Sequence, residues 1–103
     1  MIAHAQGIYS FYVYMITNKN NTVLYTGVTN NLKGRLREHE DKRNPKSFSA
    51  KYRVSFLVYY EHFECIQQVI AREKEIKNLS RAKKEILIKQ QNPSWNFLNY
   101  LFE

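Results

Sequence analysis

Arg35 and His39 are the first residues in this chain whose types and spacing could do chemistry. They lie four residues apart in "LKGRLREHE", Leu32 to Glu40, so on a helix they share one face. An arginine fork binds phosphate oxygens, and an imidazole exchanges a proton near neutral pH. The pair could therefore hold a phosphate, although a half-exposed pair on a solvated helix explains the pattern equally well.

Glu73 is the second such residue, because it falls inside an apolar stripe. The stretch "ECIQQVIAREKEIKNL" predicts a helix from Glu64 to Leu79. Its apolar stripe comprises Ile66, Val69, Ile70 and Ile76. At about 100° per residue, Glu73 lies in the middle of this stripe and Glu75 on the opposite face. A carboxylate facing a core is costly unless it is paired or binds a metal. From its position alone, an ion pair with a nearby Lys or Arg is favoured over a metal ligand.

Tyr14 and Tyr25 lie in two predicted strands that form a hairpin. "SFYVYMIT", Ser10 to Thr17, and "TVLYTGV", Thr22 to Val28, are rich in β-branched and aromatic residues, and the turn-forming "NKNN" separates them. Half-buried packing is the ordinary role of such tyrosines. A catalytic role needs a pKa lowered from about 10. Gly27 is predicted to turn the chain into the helix that follows.

The remaining elements complete an α+β pattern of order β-β-α-β-α-α. The first helix is predicted from Leu32 to about Glu40, behind N-caps in "TNN". Asp41 to Arg53 is predicted to be an exposed loop, and Val54 to Phe63 a third strand. Ser80 is predicted to cap the helix "RAKKEILIKQQ", and the aromatic tail "NPSWNFLNYLF" to pack. We expect a small three-stranded mixed or antiparallel sheet flanked by helices.

Composition limits the function classes. The 103 residues suit a single domain, 1–103, with residues 1–9 as an N-terminal tail. No apolar run approaches the roughly 20 residues of a membrane helix, and no signal-peptide pattern occurs. We therefore expect a cytoplasmic protein with no membrane partner. Cys65 is the single cysteine, which excludes an internal disulfide. The net charge of +7 favours an anionic partner or serves solubility alone.

Basic residues concentrate between Lys33 and Arg53, where eight Lys or Arg stand against three acids. The residues predicted to contact nucleic acid are Lys33, Arg37, Lys42, Arg43, Lys46, Lys51 and Arg53. Such a surface would bind backbone phosphates without reading sequence. A solvated charge run is the alternative.

In their order, these features resemble the GIY-YIG nuclease superfamily. The resemblance runs from about Phe11 to Asn96. It looks closest to the small stand-alone bacterial branch, which is related to the nuclease domain of the excision-repair incision enzyme. The segments "LYTG", "LREHE" and "AREKEIKNLSRAKK" carry the likeness to this branch.

The resemblance aligns Val13–Met15 with the first family motif and Tyr25–Gly27 with the second. The literal "GIY" at Gly7–Tyr9 lies too far from Tyr25 to face it across a hairpin. The first motif here lacks the Gly and Ile of its name. Val28 also stands where the repair enzymes have a lysine, which weakens the analogy for how Tyr25 would be activated.

The family roles carry over to matching positions. The resemblance implies catalytic roles for Tyr14, Tyr25, Arg35, His39 and Asn96. It also implies that Glu73 binds one divalent cation, Mg²⁺ or Mn²⁺. The implied reaction is phosphodiester hydrolysis, with DNA expected over RNA. Tyr25 or Tyr14 would take a proton from water, and Arg35 would stabilise the developing charge. The alternative is a weakly active module that binds nucleic acid or docks on a partner protein that supplies targeting.

Overall fold

A three-stranded antiparallel sheet forms the centre of the fold. The computed structural model describes residues 10–41 and 52–103. Its strands are β1 (Phe11–Thr17), β2 (Leu24–Thr29) and β3 (Phe56–Phe63), in the order β2-β1-β3. β1 pairs antiparallel with both neighbours. The predicted sheet is confirmed, and it is antiparallel rather than mixed.

Within residues 10–41 and 56–103, three helices and a short C-terminal 3-10 helix flank the sheet. The helices are α1 (Leu32–Asp41), α2 (Ile66–Lys77) and α3 (Arg81–Gln91), followed by a 3-10 helix at Asn99–Phe102. The predicted order β-β-α-β-α-α is confirmed. No helix within the described ranges is both long and apolar enough to cross a membrane.

The strand alternation divides the core between the two faces of the sheet. On one face, Tyr14 and Ile16 of β1 pack with residues of α1, β3 and the tail. The buried partners there are Leu32, Leu36, Val54, Leu57 and Leu98. On the other face, Val13 and Met15 pack against α2 and α3. The buried helix residues there are Val69, Ile76 and Ile88. Tyr14 therefore points towards α1, and α2 lies behind the sheet.

Two strands, β2 and β3, begin two residues later than the sequence predicts. β3 begins at Phe56 rather than Val54. β2 begins at Leu24 rather than Thr22, because the Asn18 side chain accepts the backbone N–H groups of Thr22 (2.8 Å) and Val23 (3.2 Å). These two residues therefore belong to the turn. Residues 42–51 of the predicted loop lie outside the described residues, as do Lys42, Arg43, Lys46 and Lys51 among the predicted nucleic-acid contacts.

Side-chain amides cover the outer edge of β3. Asn99 accepts the Leu57 N–H at 2.8 Å and donates to the Ser55 carbonyl at 2.9 Å. Gln91 accepts the Tyr60 N–H at 3.1 Å and donates to the same residue's carbonyl at 2.7 Å. These amides replace a fourth strand, so the tail packs as predicted and the edge is protected from pairing with other chains.

Asn92 joins the tail to the same strand. Its side chain is buried, with 5% exposed, and donates to the carbonyls of Val58 (3.0 Å) and Asn96 (2.9 Å). Its Oδ1 accepts the Asn96 N–H at 3.0 Å. All of this amide's hydrogen bonds go to backbone groups, so the residue closes the loop after α3.

We expect Asn92→Ala to lower the free energy of unfolding by about 1–3 kcal/mol, because it leaves buried backbone groups without partners. Asn96→Ala is the matched control: its side chain is exposed, so the change should stay within about 0.5 kcal/mol. Urea unfolding of both variants measures the difference. Equal losses would contradict the role given to Asn92.

Candidate active site

The hydrogen bond between Tyr14 and His39 is the centre of the candidate site. Tyr14 Oη lies 3.0 Å from His39 Nε2, and both residues are buried. The bond joins β1 to α1. Leu32 and Leu36 bury the inner face of α1 and fix the rotation that points His39 at the sheet. The histidine is therefore buried against the sheet, while Arg35 on the same helix is exposed.

Tyr25 completes a cluster of three rings. In the register of the hairpin, Tyr25 lies opposite Ile16 and Tyr14 opposite Gly27, so both tyrosines point to the α1 face. The ring centroids are 6.5 Å apart between the tyrosines, and His39 lies 5.9 Å from Tyr14 and 5.8 Å from Tyr25. We call Tyr14, Tyr25 and His39 the tyrosine–histidine cluster.

Gly27 makes room for this cluster. It lies inside β2, where a Cβ atom would come within 2.6 Å of Tyr14 Oη and 2.7 Å of Cζ. The prediction that Gly27 turns the chain is therefore wrong. The glycine is needed because the Tyr14 ring lies across the position that a side chain would occupy.

Asn31 caps the N-terminus of α1. Its backbone N–H donates to Thr29 Oγ1 at 3.0 Å, and its Oδ1 accepts the Gly34 N–H at 3.1 Å. This is the N-cap predicted within "TNN". Only two residues therefore separate β2 from α1, which brings His39 against the hairpin.

Burial changes the proton affinities within the cluster. Burial, and then the nearby charge of Arg35, hold the pKa of His39 below its usual 6.5. Burial, and then Tyr25, raise the pKa of Tyr14 well above 10, against an opposing effect of Arg35. The phenol therefore keeps its proton at neutral pH, and the imidazole that it contacts is neutral.

Arg35 lies beside the cluster but faces solvent. Its side chain is 44% exposed, and its ion-pair partner in the described structure is Glu38, itself 55% exposed, at 3.6 Å. Such a surface pair is weak and easily exchanged. The guanidinium is therefore free to bind an anion arriving from solvent.

The apolar stripe of α2 is narrower than predicted. Val69 and Ile76 are fully buried, as expected. Ile66 and Ile70 are 43% and 40% exposed, so the prediction that they face the core is wrong. Glu73 lies at the border between the buried and exposed sides.

Glu73 is held by an ion pair in the structure. Its side chain is 22% exposed and lies 3.2 Å from Lys77 Nζ. Its charge acts on Tyr14, where it is among the groups that raise the pKa. The residue therefore lies at the border of the core, and its charge contributes to the raised pKa of Tyr14. The lysine pairing expected from its position alone is present.

The donor set around Glu73 limits which metals could bind. Among the residues that the structure describes, no three His, Cys, Asp or Glu side chains lie together. A zinc or calcium cage built wholly from protein is therefore absent from this part of the chain. One partly exposed carboxylate fits Mg²⁺, which keeps several waters and binds substrate phosphates.

A network that the sequence did not reveal fixes the rotation of α2. Arg72 donates to both carboxylate oxygens of Glu61, at 2.9–3.1 Å, and lies 3.2 Å from Glu75. The hydroxyl of Tyr59 donates to the same Glu61 carboxylate. Arg72 directly precedes Glu73, so these contacts between β3 and α2 also determine the face of α2 on which the Glu73 side chain lies. The sequence shows that Arg72 and Glu75 lie three residues apart, but it does not show that Glu61 of β3 contacts Arg72.

Asn96 is the predicted site residue that the structure leaves apart. Its side chain is exposed, and no contact within the described ranges joins it to the cluster. Two asparagines that sequence reasoning missed, Asn92 and Asn99, make the buried contacts of the tail instead. The Asn-Pro step at Asn92 signals a turn, but it does not reveal a buried amide.

Three predicted nucleic-acid contacts fall within the described residues. Lys33, Arg37 and Arg53 are all exposed. Lys33 and Arg37 lie on the side of α1 away from His39, so they flank the candidate site rather than line it.

Comparison with known proteins agrees with this geometry. The model of the GIY-YIG catalytic domain matches residues 10–86, a range that contains the three clustered rings, Arg35 and Glu73. The chain belongs to the GIY-YIG family. This is a family of nuclease domains, and the resemblance found in the sequence is confirmed.

The relatives of this GIY-YIG domain are small UPF0213 proteins. One from Syntrophus aciditrophicus is 40% identical over 82 residues, covering 80% of this chain and 92% of that protein. One from Natronomonas pharaonis is 42% identical over 77 residues, covering 75% and 88%. The solution NMR structure of a UPF0213 protein from Bacillus halodurans matches with a TM-score of 0.54 and 28% identity, covering 84% of this chain and 89% of that one.

We expect Gly27→Ala to destabilise the protein by about 1–3 kcal/mol, because the new methyl group overlaps the Tyr14 ring. In a Tyr14→Ala background the same change should cost nothing, or stabilise by up to about 1 kcal/mol, since alanine suits a strand better than glycine. Urea unfolding of the four proteins gives this double-mutant cycle. A cost that is the same in both backgrounds would mean that Tyr14 is not the reason for the glycine.

The lowered pKa of His39 should make stability depend on pH. Below about 6.5 the unfolded chain binds more protons than the folded one, so the free energy of unfolding falls as the pH drops from about 6.5 through the lowered value. NMR titration of the His39 ring measures the pKa directly. His39→Gln should flatten that part of the stability profile, and a His39 pKa at or above 6.5 would contradict the burial argument.

Proposed function

We propose that this GIY-YIG domain is a metal-dependent endonuclease that hydrolyses phosphodiester bonds of nucleic acid, with DNA as the expected substrate. One observation carries the proposal. A buried, hydrogen-bonded Tyr14–His39 pair lies beside an exposed arginine, Arg35, within a nuclease family domain. The exposed guanidinium supplies an anion-binding group next to a buried proton acceptor, which is what hydrolysis of a phosphodiester needs.

The proton of the attacking water goes to the Tyr14–His39 pair. The raised pKa of Tyr14 makes its phenolate costly, so the tyrosine cannot act alone as a base. Its hydroxyl takes the water proton while passing its own to Nε2 of His39, which is neutral at pH 7. Tyr25, in contact with the histidine ring, orients the water at the open side of the cluster.

Arg35 binds the scissile phosphate. Its weak pair with Glu38 opens at little cost, and the freed guanidinium meets two phosphate oxygens. The contact strengthens as negative charge develops on the phosphorane, so it accelerates hydrolysis. The approaching phosphate also offsets the repulsion between Arg35 and the imidazolium that forms at His39.

Glu73 is the residue that would hold a divalent cation, in exchange for Lys77. When bound, such a cation stabilises charge on the leaving 3′ oxygen. Lys77 is 51% exposed and can turn to solvent or to a phosphate once released. Arg72, directly before Glu73, holds this part of α2 to β3 through Glu61.

We expect Glu73→Gln to abolish cleavage while keeping nucleic-acid affinity. The protein is incubated with single-stranded, duplex and branched DNA and with RNA, in Mg²⁺, Mn²⁺ or a chelator. Arg35→Gln should slow cleavage by about 10²–10³-fold, the usual effect of removing one charge-stabilising donor. Tyr9→Phe, outside the aligned motifs, should cleave normally.

Lys77→Met is the matched control, because it breaks the same ion pair but keeps the carboxylate. Both variants lose a half-exposed pair, so each should change stability by less than about 1 kcal/mol. Mn²⁺ should raise the melting temperature of wild type and Lys77→Met but not of Glu73→Gln. Normal cleavage by Glu73→Gln would refute the metal role. Salt-sensitive binding without cleavage of any substrate would favour the binding-module alternative.

A further inference from the structure

A cleft of about 300 Å³ lies between α1 and the C-terminal 3-10 helix. Lys33, Leu36 and Arg37 of α1 line one wall, and Asn99 and Phe102 of the tail line the other. Tyr14, Tyr25 and His39 are not among its lining residues, so it is separate from the tyrosine–histidine cluster. Its volume is at the lower end of the range for small-molecule sites.

The floor of the cleft is apolar and rigid. Leu36 is buried, and the half-buried Phe102 ring packs edge-on against Tyr12 (5.9 Å, 81°) and Tyr60 (5.1 Å, 89°). Two edge-to-face contacts fix the orientation of the phenyl ring. A fixed aromatic ring at a cleft open to solvent is a surface on which a flat ligand can stack.

Two cations stand at one rim. Lys33 and Arg37 are exposed and one helical turn apart, and neither has an ion pair with the side chains of residues 10–40 or 52–103. Like charges at this spacing repel each other, so an anion between them would relieve a local cost. The pair is therefore suited to a phosphate.

Two carboxylates also line the cleft, so the charges of the lining side chains balance. Glu40 and Glu103 face the cleft, and Glu40 accepts a hydrogen bond from Asn99 Nδ2 at 3.2 Å. A simple polyanion would be repelled by these acids. The balanced lining instead selects a ligand with a phosphate at one end and N–H donors at the other.

We propose that this cleft binds one nucleotide of the nucleic-acid strand, with its base on Phe102, its phosphate between Lys33 and Arg37, and its N–H donors towards Glu40. The assignment rests on the proposed function, because this nucleotide belongs to the strand held at the tyrosine–histidine cluster. Both sites lie on α1, so the strand only has to cross this helix. A volume of about 300 Å³ suits a single unpaired base, which makes a single-stranded flank the preferred substrate feature.

Titration of the ¹⁵N-labelled full chain with guanosine 5′-monophosphate, guanosine and inorganic phosphate tests the site by NMR. Guanine offers adjacent N–H donors for Glu40. The monophosphate should shift the amide signals of Leu36, Arg37 and Phe102 and bind more tightly than guanosine or phosphate alone. Phe102→Leu and Arg37→Gln should each weaken it at least about fivefold, the lower end for loss of a base–aromatic stack.

Two control variants lie away from the cleft. Tyr100→Leu removes an exposed ring of the same 3-10 helix, and Lys89→Gln removes an exposed charge of α3. Both should bind the nucleotide like wild type. Cleft signals that do not move, or that move equally with phosphate alone and are indifferent to Phe102→Leu, would overturn the proposal. Since Arg37 is exposed, Arg37→Gln remains a test if Phe102→Leu misfolds.

The titration needs no cleavage, which separates this proposal from the nuclease proposal. Nucleotide binding in the cleft of a protein that cuts no substrate would support the cleft and refute the endonuclease. Cleavage by a protein whose cleft ignores the nucleotide would do the reverse.

Discussion

The buried hydrogen bond between Tyr14 and His39 is the interaction on which the rest of the structure depends. It crosses from the sheet to α1, so the strand register and the helix rotation must both be right for it to form. Gly27 is part of the same constraint, because any larger residue would displace the phenol. Leu32 and Leu36 complete it by burying the helix face that brings His39 inward. The packing of this half of the protein is therefore also the assembly of its candidate site.

The same burial gives the site its electrostatic character. A solvent-exposed tyrosine and histidine would have pKa values near the ordinary ones. Here burial keeps the Tyr14 phenol protonated and the His39 imidazole neutral at pH 7. Arg35 adds to the effect on His39 while staying in solvent itself. The result is a site whose proton acceptor is covered and whose anion-binding group is open. That separation suits a substrate that arrives as a large anion.

Amide and carboxylate contacts hold the far side of the sheet. Gln91 and Asn99 hydrogen-bond to the outer edge of β3, and Arg72 bridges β3 to α2 through Glu61. These groups do not reach the tyrosine–histidine cluster, yet they position the parts that flank it. The tail brings Phe102 against α1 and so forms the cleft, while Arg72 orients the helix that carries Glu73.

The sequence by itself determined the order of elements, the N-caps of α1 and α3, the hairpin that carries Tyr14 and Tyr25, and the family. These depend on local patterns of polarity and spacing. It did not determine the role of Gly27, since a glycine between a strand and a helix is as typical of a turn as of a close approach. The sequence also predicted that Ile66 and Ile70 lie in the core, because helical periodicity does not show how much of an apolar stripe the sheet covers. Only the tertiary structure decided that Asn92 is buried, since contacts between distant segments leave no periodic trace in the chain.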